Sequence, residues 1–319
     1  MTERNQMSGR VSAQGFAASR NAVRGVAAAL VFAAGHAAVA QQNEAQPEEA
    51  QVETSQITGD KSIYHLFNPT PRHLMRPLSA DRPDVTESPI TVDAGHVQIE
   101  LSFVDYRRDD RNNDNTEVEA WTFGATNIKF GLLNNVDLQL VFDAFVDQDT
   151  EDETTGSSTN AQGFNDSQIR LKINLWGNDG GDTAFALMPF IQLPTGSDDL
   201  TSDEVEGGLI IPFGMELGDG WGLGLMAEID FVYNEENDDY DIDFVHTAVV
   251  GHDIVGPLGG YLEYIGVFSG DDNTDYQALL GTGLTYGLSP DLVLDVGATF
   301  GLTESADDVN LFAGVTVRF

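Results

Sequence analysis

The sequence predicts an all-β protein: a transmembrane, antiparallel, up-and-down β-barrel of about twelve strands behind an N-terminal signal peptide. Three observations predict it. In the last eleven residues (VNLFAGVTVRF), Val309, Leu311, Ala313, Val315, Val317 and Phe319 alternate with Asn310, Gly314, Thr316 and Arg318. That period of two gives a strand one greasy and one wet face. From Gly95 onward the same device recurs, about ten residues of alternation and then a break, as tilted membrane strands require. No run of about 18 apolar residues lies beyond the N-terminal region, which leaves a closed barrel as the means of crossing a bilayer.

The N-terminus reads as an export signal. Arg20 and Arg24 precede residues 25–34 (GVAAALVFAA), and Ala38, Val39 and Ala40 supply the small residues before a cut. A short amphipathic helix is the alternative. Cleavage after Ala40 removes four arginines and one glutamate and takes the formal charge from −37 to −40. Such acidity excludes nucleic acid as a partner and excludes docking on anionic lipid through a basic patch. It suits a salty medium. There is no cysteine, so stability does not come from disulfides. The expected organisation is a signal peptide over 1–40, an extended periplasmic leader over 41–92, and the barrel over 93–319.

The expected strands are, in order, 96–106, 118–132, 136–145, 168–176, 183–193, 205–217, 221–233, 242–252, 261–268, 276–288, 292–302 and 309–319. The third is clean: Val136, Leu138, Leu140 and Phe142 against Asp137, Gln139 and Asp143. Short breaks at 134–135, 177–181, 218–220, 255–259 and 289–291 are rich in Gly, Asn, Asp or Pro, as hairpin turns are. Longer breaks at 107–117, 146–165, 194–204, 234–241, 269–275 and 303–308 fall between them. Short turns at one end and long loops at the other are the outer-membrane asymmetry, with both termini periplasmic. A soluble β-sandwich has no reason to sort its loops in this way.

Trp176, Trp221 and Phe319 fall at the short-turn ends of strands; Phe145, Phe231, Tyr233, Phe268 and Phe300 fall toward the long loops. Two aromatic belts around an apolar band fit headgroup depth. Trp121 and Phe123 are out of phase with Ile128 and Phe130, which predicts a bulge near Ala125. Pro189 and Pro212 each remove a ladder donor. They are expected nearly opposite one another, as a curved bulge or as a seam through which an apolar solute leaves sideways.

If the apolar rows face lipid, the other rows face the lumen. Those rows are rich in glycine: Gly208, Gly214, Gly222, Gly224, Gly251, Gly281, Gly283, Gly297 and Gly314. Twelve strands about 4.8 Å apart give a backbone diameter on the order of 20–25 Å, a narrow or plugged lumen. Candidate constriction residues are Lys129, Asp137, Arg170, Lys172, Glu228, Asp230, Asp243, Glu263 and Asp295. Opposed charges across a constriction orient dipolar solutes. The alternative is internal pairing of Lys129 or Arg170 with Asp137 or Asp143. Arg318 is expected near Glu100 where the last strand closes on the first. Arg82, Asp84 and Glu87 precede the first strand and are expected at the periplasmic mouth or folded into the lumen, where Arg82 meets an inward carboxylate as a small plug. Phe319 serves as the signal for the barrel-assembly machinery.

No nucleophile and base pair suggests an enzyme. His246 is expected to face lipid, and no serine stands beside it on its face. The acidic runs 147–153 and 235–243 lack EF-hand spacing and read as solvated loops, or as loose Ca²⁺ or Mg²⁺ bridges to lipopolysaccharide. No cofactor or dedicated metal site is expected. The partners are outer-membrane lipid and a small-molecule solute.

Residues 81–92 (DRPDVTESPITV), running into 95–100 (GHVQIE), are similar to the opening of the outer-membrane transporter family named for the meta-pathway of phenol degradation. Residues 190–196 (FIQLPTG), 294–302 (LDVGATFGL) and 312–319 (FAGVTVRF) add further similar patches. The resemblance runs from about residue 78 to the C-terminus and implies transport of aromatic or other small organic compounds. Gln192 stands where the family pattern leads one to expect a basic residue.

Overall fold

The computed structural model describes residues 60–110, 115–235, 237–271 and 274–319. The expected signal peptide and most of the leader before residue 60 lie outside the described residues. A 3-10 turn at Arg72–Leu74 precedes the sheet.

One sheet carries every strand: β1 (Val97–Asp109), β2 (Thr116–Phe123), β3 (Thr126–Leu133), β4 (Val136–Phe142), β5 (Phe145–Asp152), β6 (Ser157–Gly163), β7 (Ser167–Trp176), β8 (Thr183–Leu193), β9 (Glu206–Gly218), β10 (Trp221–Asn234), β11 (Asp239–Val255), β12 (Leu258–Phe268), β13 (Gln277–Ser289), β14 (Leu292–Gly301) and β15 (Val309–Arg318). β15 pairs with β14 and β1, which closes the sheet on itself. Closure leaves few edges. Three staves are broken in two: β2 with β3, β5 with β4, and β6 with β7. β1 pairs with β2 above and β3 below, so the staves number twelve.

The break between β2 and β3 falls at Gly124 and Ala125, where the phase of the apolar residues changes. Gly124 has φ +66°, and a Cβ there would lie 2.8 Å from the Ala144 Cβ. The neighbouring stave breaks at Asp143 and Ala144, so both walls bend at one height. The region expected as a loop over 146–165 is instead a hairpin, β5 and β6, standing above the barrel. Its residues are polar on both faces, so backbone pairing continues after the apolar alternation has stopped. Pro189 pairs with Leu209 in the β8–β9 ladder. The two prolines are therefore offset along the hairpin, not facing. The β8 ladder lacks Cα partners for Ala186 and Leu187 toward β9, and for Met188 and Pro189 toward β7.

Both ends of the barrel sequence meet: the Val97 N–H donates to the Phe319 carbonyl, and the Phe319 N–H to that of Val97. The short turns share this end, the longer connections the other. Outside, Phe103, Ile169, Ile191, Leu225, Ile229, Phe244, Leu262, Leu284 and Val296 are all exposed, while charged side chains such as Lys129, Lys172, Glu228 and Glu263 are buried inside. That inversion of an ordinary globular protein is the fold class of outer-membrane barrels.

Candidate functional site

The described leader crosses the termini end of the barrel and then turns into the lumen. At the rim, Lys61 pairs with Asp93 at 2.8 Å and Asp179 at 2.6 Å. Arg76 donates to Asp179 at 3.0 Å, to the Thr91 carbonyl at 2.6 Å and to Asn134. Burial opposes the charge on Asp179, but hydrogen bonds from Lys61, Asn134 and Arg76 prevail and hold its carboxyl down to about 2. On the far side, Arg72 (2.5 Å) and Arg318 (2.8 Å) share Asp291, and their hydrogen bonds lower its pKa below the usual carboxylate range.

Inside, residues 81–88 form a loop bonded to opposite walls. Asp81 takes Lys129 and, at 2.7 Å, Lys172; its other oxygen lone pairs accept the Ser88 N–H at 2.9 Å. Glu100 also holds Lys129 and accepts the Asp81 N–H at 3.1 Å. Arg82 reaches Asp295 with two bonds, 2.7 and 3.2 Å. The Val85 and Thr86 N–H groups and the Thr86 hydroxyl all donate to Glu263, within 3.1 Å. The Thr86 and Thr247 hydroxyls lie 2.6 Å apart. Glu87 accepts from Arg170 at 2.7 Å. Further down, Asn174 donates to the Pro89 carbonyl and the Val92 N–H donates to Asp137 at 3.0 Å. A buried charge left without a partner costs several kcal/mol, so the pairs hold as a set.

Inward glycines make room for this loop. A Cβ on Gly314 would lie 2.3 Å from the Arg82 guanidinium, one on Gly224 would lie 3.1 Å from Thr86, and one on Gly214 would lie 3.2 Å from Pro89. Gly222 and Gly251 have open space instead, with nothing nearer than 4.0 and 3.9 Å.

The lumen has two unlike walls. β1, β3, β4, β7 and β15 turn Gln98, Glu100, Lys129, Asp137, Gln139, Gln168, Arg170, Lys172, Asn174, Thr316 and Arg318 inward. β8 to β12 turn a core of Met188, Phe190, Ile210, Met226, Val232, Val245 and Val267 inward, with Val85 of the leader packed against it. Val85 also touches Ile265, Leu279 and Ala306. The hydrophilic, glycine-lined hollow expected from the alternation is thus corrected in part: on β8 to β12 an apolar cluster stands among Gln192, Glu228, Asp230 and Glu263.

The expected pairings are corrected as well. Lys129 finds Asp81 of the leader and Glu100 of β1, and Arg170 finds Glu87 of the leader, rather than Asp137 or Asp143. Arg318 stands opposite Gln98, and its guanidinium bends to Asp291 at the rim while Glu100 serves Lys129. Asp243 accepts from Ser269 and Gly270 and so ties a long loop at the rim. Glu228 and Asp230 are buried on β10. Asp84 sits half-buried at the loop tip between Arg82 and Val85. Gln192 links Gln168 to Glu206 at 2.8 and 2.9 Å. The Phe319 side chain is exposed at the termini end. Asp81, Asp93, Lys61, Asp179 and Thr86 were not singled out in the sequence. Their signal was the closeness of Asp81 to Arg82, Asp84 and Glu87 in a chain otherwise short of cations.

His246 faces outward and accepts from, or donates to, the Tyr276 hydroxyl at 3.2 Å. Among the described residues, the carboxylates of Asp110, Glu117 and Glu153 lie within 4.8 Å of one another at the long-loop end.

Among solved structures, the fold is similar to that of an outer-membrane channel from Pseudomonas putida F1, with TM-score 0.56 and 11% identity over 76% of this chain and 100% of that one. It is also similar to the transport unit of the autotransporter AIDA-I from Escherichia coli, with TM-score 0.48 and 9% identity over 75% of this chain and 92% of that one. No curated protein matches the sequence. The model of one family matches residues 80–319, from the loop inside the lumen to the closing strand, and the chain belongs to that family, described as "Putative MetA-pathway of phenol degradation".

Proposed function

We propose that this chain is an outer-membrane channel for small organic solutes of apolar or aromatic character, plugged by its own leader, with both termini in the periplasm. One observation carries the reading, the two-sided lumen. The leader takes up the charges of one wall, and Glu263 of the other, and leaves an apolar cluster of Met188, Phe190, Ile210, Met226, Val232, Val245 and Val267 along β8 to β12. A polar solute gains nothing from such a wall, whereas an apolar one trades water for it. Gly222 and Gly251 leave room between the leader and the wall toward the termini end. Barrel residues do no chemistry on the solute in this reading.

Vesicles with a lipopolysaccharide outer leaflet, which slows apolar solutes, test it. Uptake of small neutral aromatics is expected to exceed that of sugars of equal size, and to rise when residues 78–90 are removed. Equal uptake of both classes overturns the solute class, and unchanged uptake after the deletion overturns the plug. A second reading is a surface-interaction barrel with a closed lumen, whose Asp110, Glu117 and Glu153 cluster binds Ca²⁺ or Mg²⁺ against lipopolysaccharide. It predicts no uptake of any solute, with or without the leader.

A further inference from the structure

At the termini end a short turn holds apolar side chains away from the protein. Ile63 is 62% exposed, Leu66 37% and Phe67 87%. The turn is fixed, not loose. His65 and Asn68 exchange backbone bonds of 3.0 and 2.8 Å, and the Asn68 side chain donates to the Ile63 carbonyl at 3.0 Å. On one flank Lys61 is buried against Asp93 and Asp179. On the other, the Thr70 N–H donates to the Ala94 carbonyl at 2.9 Å, and His96 bonds the Thr70 carbonyl at 2.7 Å. Loose polymer hides its apolar groups against itself; this turn is clamped so that it does not.

What covers it follows from its neighbours. The Leu66 N–H donates to the Leu132 carbonyl at 2.9 Å, and His65 bridges to Leu133, which is itself exposed. This is the end of β3, whose outward residues Ile128 and Phe130 pair with Leu140 and Leu138 of β4. The turn therefore continues the apolar outer band past the barrel's end. No Asp, Glu, Lys or Arg occurs between Lys61 and Arg72, in a chain with 67 charged residues. Trp176, Trp221 and Phe319 are exposed at the same end. Uncharged aromatic and aliphatic groups at the foot of an apolar band fit the headgroup boundary of a bilayer.

We propose that residues 63–67 are an interfacial anchor that buries Ile63, Leu66 and Phe67 in the periplasmic leaflet and moors the base of the lumen-filling leader to the membrane. The anchor rests on the reading that the barrel spans a bilayer. It gives the leader a fixed point outside the lumen, so movement of residues 78–90 leaves their base in place.

The chain has no cysteine, so single cysteines carry a nitroxide cleanly. The full chain is reconstituted in phosphatidylcholine vesicles with a label at Ser62→Cys, at Leu138→Cys in the outer band, or at Ser158→Cys on β6. Collision rates with oxygen and with a water-soluble nickel chelate are compared. The oxygen-to-nickel ratio at Ser62→Cys is expected to be several-fold above that at Ser158→Cys, and to fall to that level when Leu66→Ser and Phe67→Ser are added. A ratio at Ser62→Cys equal to that at Ser158→Cys, with a high ratio at Leu138→Cys, overturns the anchor. Protection from both reagents, meaning cover by protein or by a second copy, overturns it too. A low ratio at Leu138→Cys overturns the membrane reading itself, and the anchor with it.

Discussion

The two walls of the lumen are built on one backbone rule and end in opposite chemistry. On β3, β4 and β7 the inward positions are Lys129, Asp137, Gln139, Arg170 and Lys172; on β8 to β12 Met188, Ile210, Met226, Val245 and Val267 take inward positions beside the carboxylates Glu228, Asp230 and Glu263. Alternation fixes which residues point inward; it does not fix what they meet there. The difference lies in the leader. Its carboxylates Asp81 and Glu87 sit against the charged wall, where they neutralise cations that burial alone would destabilise, and its Val85 and Thr86 amides reach Glu263 on the other. The Val85 side chain turns to the apolar cluster of the other wall, while its N–H donates to Glu263 on β12. The N-terminal segment thus meets a mostly charged surface on one side of the lumen and an apolar cluster on the other.

The comparison breaks most directly at Asp81. Asp81→Ala leaves Lys172 buried without its nearest carboxylate and should cost about 3–5 kcal/mol. Thermal unfolding in detergent reads the loss. Adding Lys172→Met should recover most of it, and failure to recover would mean that the pair is not the unit of stability. On the apolar wall, Phe190→Ala should cost about 3–5 kcal/mol through the cavity it leaves, while the leader stays bonded to the other wall. A leader released by Phe190→Ala, detected as new protease sensitivity, would show that the walls are not independent.

Three smaller effects sharpen the contrast. Gly222→Leu and Gly251→Leu have room for their side-chain root, so stability should change by less than about 1 kcal/mol while uptake of an apolar solute slows. Pro189→Val with Pro212→Val restores ladder donors to β8 and β9, worth on the order of 1 kcal/mol each. Unchanged uptake in that variant removes β8 as a sideways exit. Finally, Asp179 is held down to about 2, so its contribution is complete above the ordinary carboxylate range and is lost as pH falls through about 2. It is partly exposed, and screening leaves on the order of 1 kcal/mol. Asp179→Asn should lower stability by about 1 kcal/mol at neutral pH and flatten the acid limb below pH 4, so that the two proteins converge toward pH 2.

Much of this was legible in the sequence. Stave number, closure by the last strand and the sorting of turns by length all follow from the period of Val, Leu, Ile and Phe; the bulge expected near Ala125 is a break in the stave at Gly124 and Ala125. The β5–β6 hairpin was not legible, since it lies above the apolar band and carries polar residues on both faces. Arg82 was placed at the mouth against an inward carboxylate, and Asp295 is its partner in the structure. Asp81 and Thr86 escaped notice because a proline-rich segment has no period, and nothing local says which wall it will meet. The apolar wall escaped notice for a related reason. On β8 and β9 inward and outward residues are both apolar, so alternation of polarity is silent exactly where the lumen is greasy.

The central claim is that the leader lies within the lumen, across from β11 and β12. The Thr86 and Thr247 hydroxyls are 2.6 Å apart, and no native thiol competes. In Thr86→Cys/Thr247→Cys, assembled in membranes, the account predicts a spontaneous intramolecular disulfide that shifts mobility on a non-reducing gel and lowers solute uptake until it is reduced. Two thiols that remain separately reactive toward a water-soluble maleimide, with uptake indifferent to reductant, would contradict it.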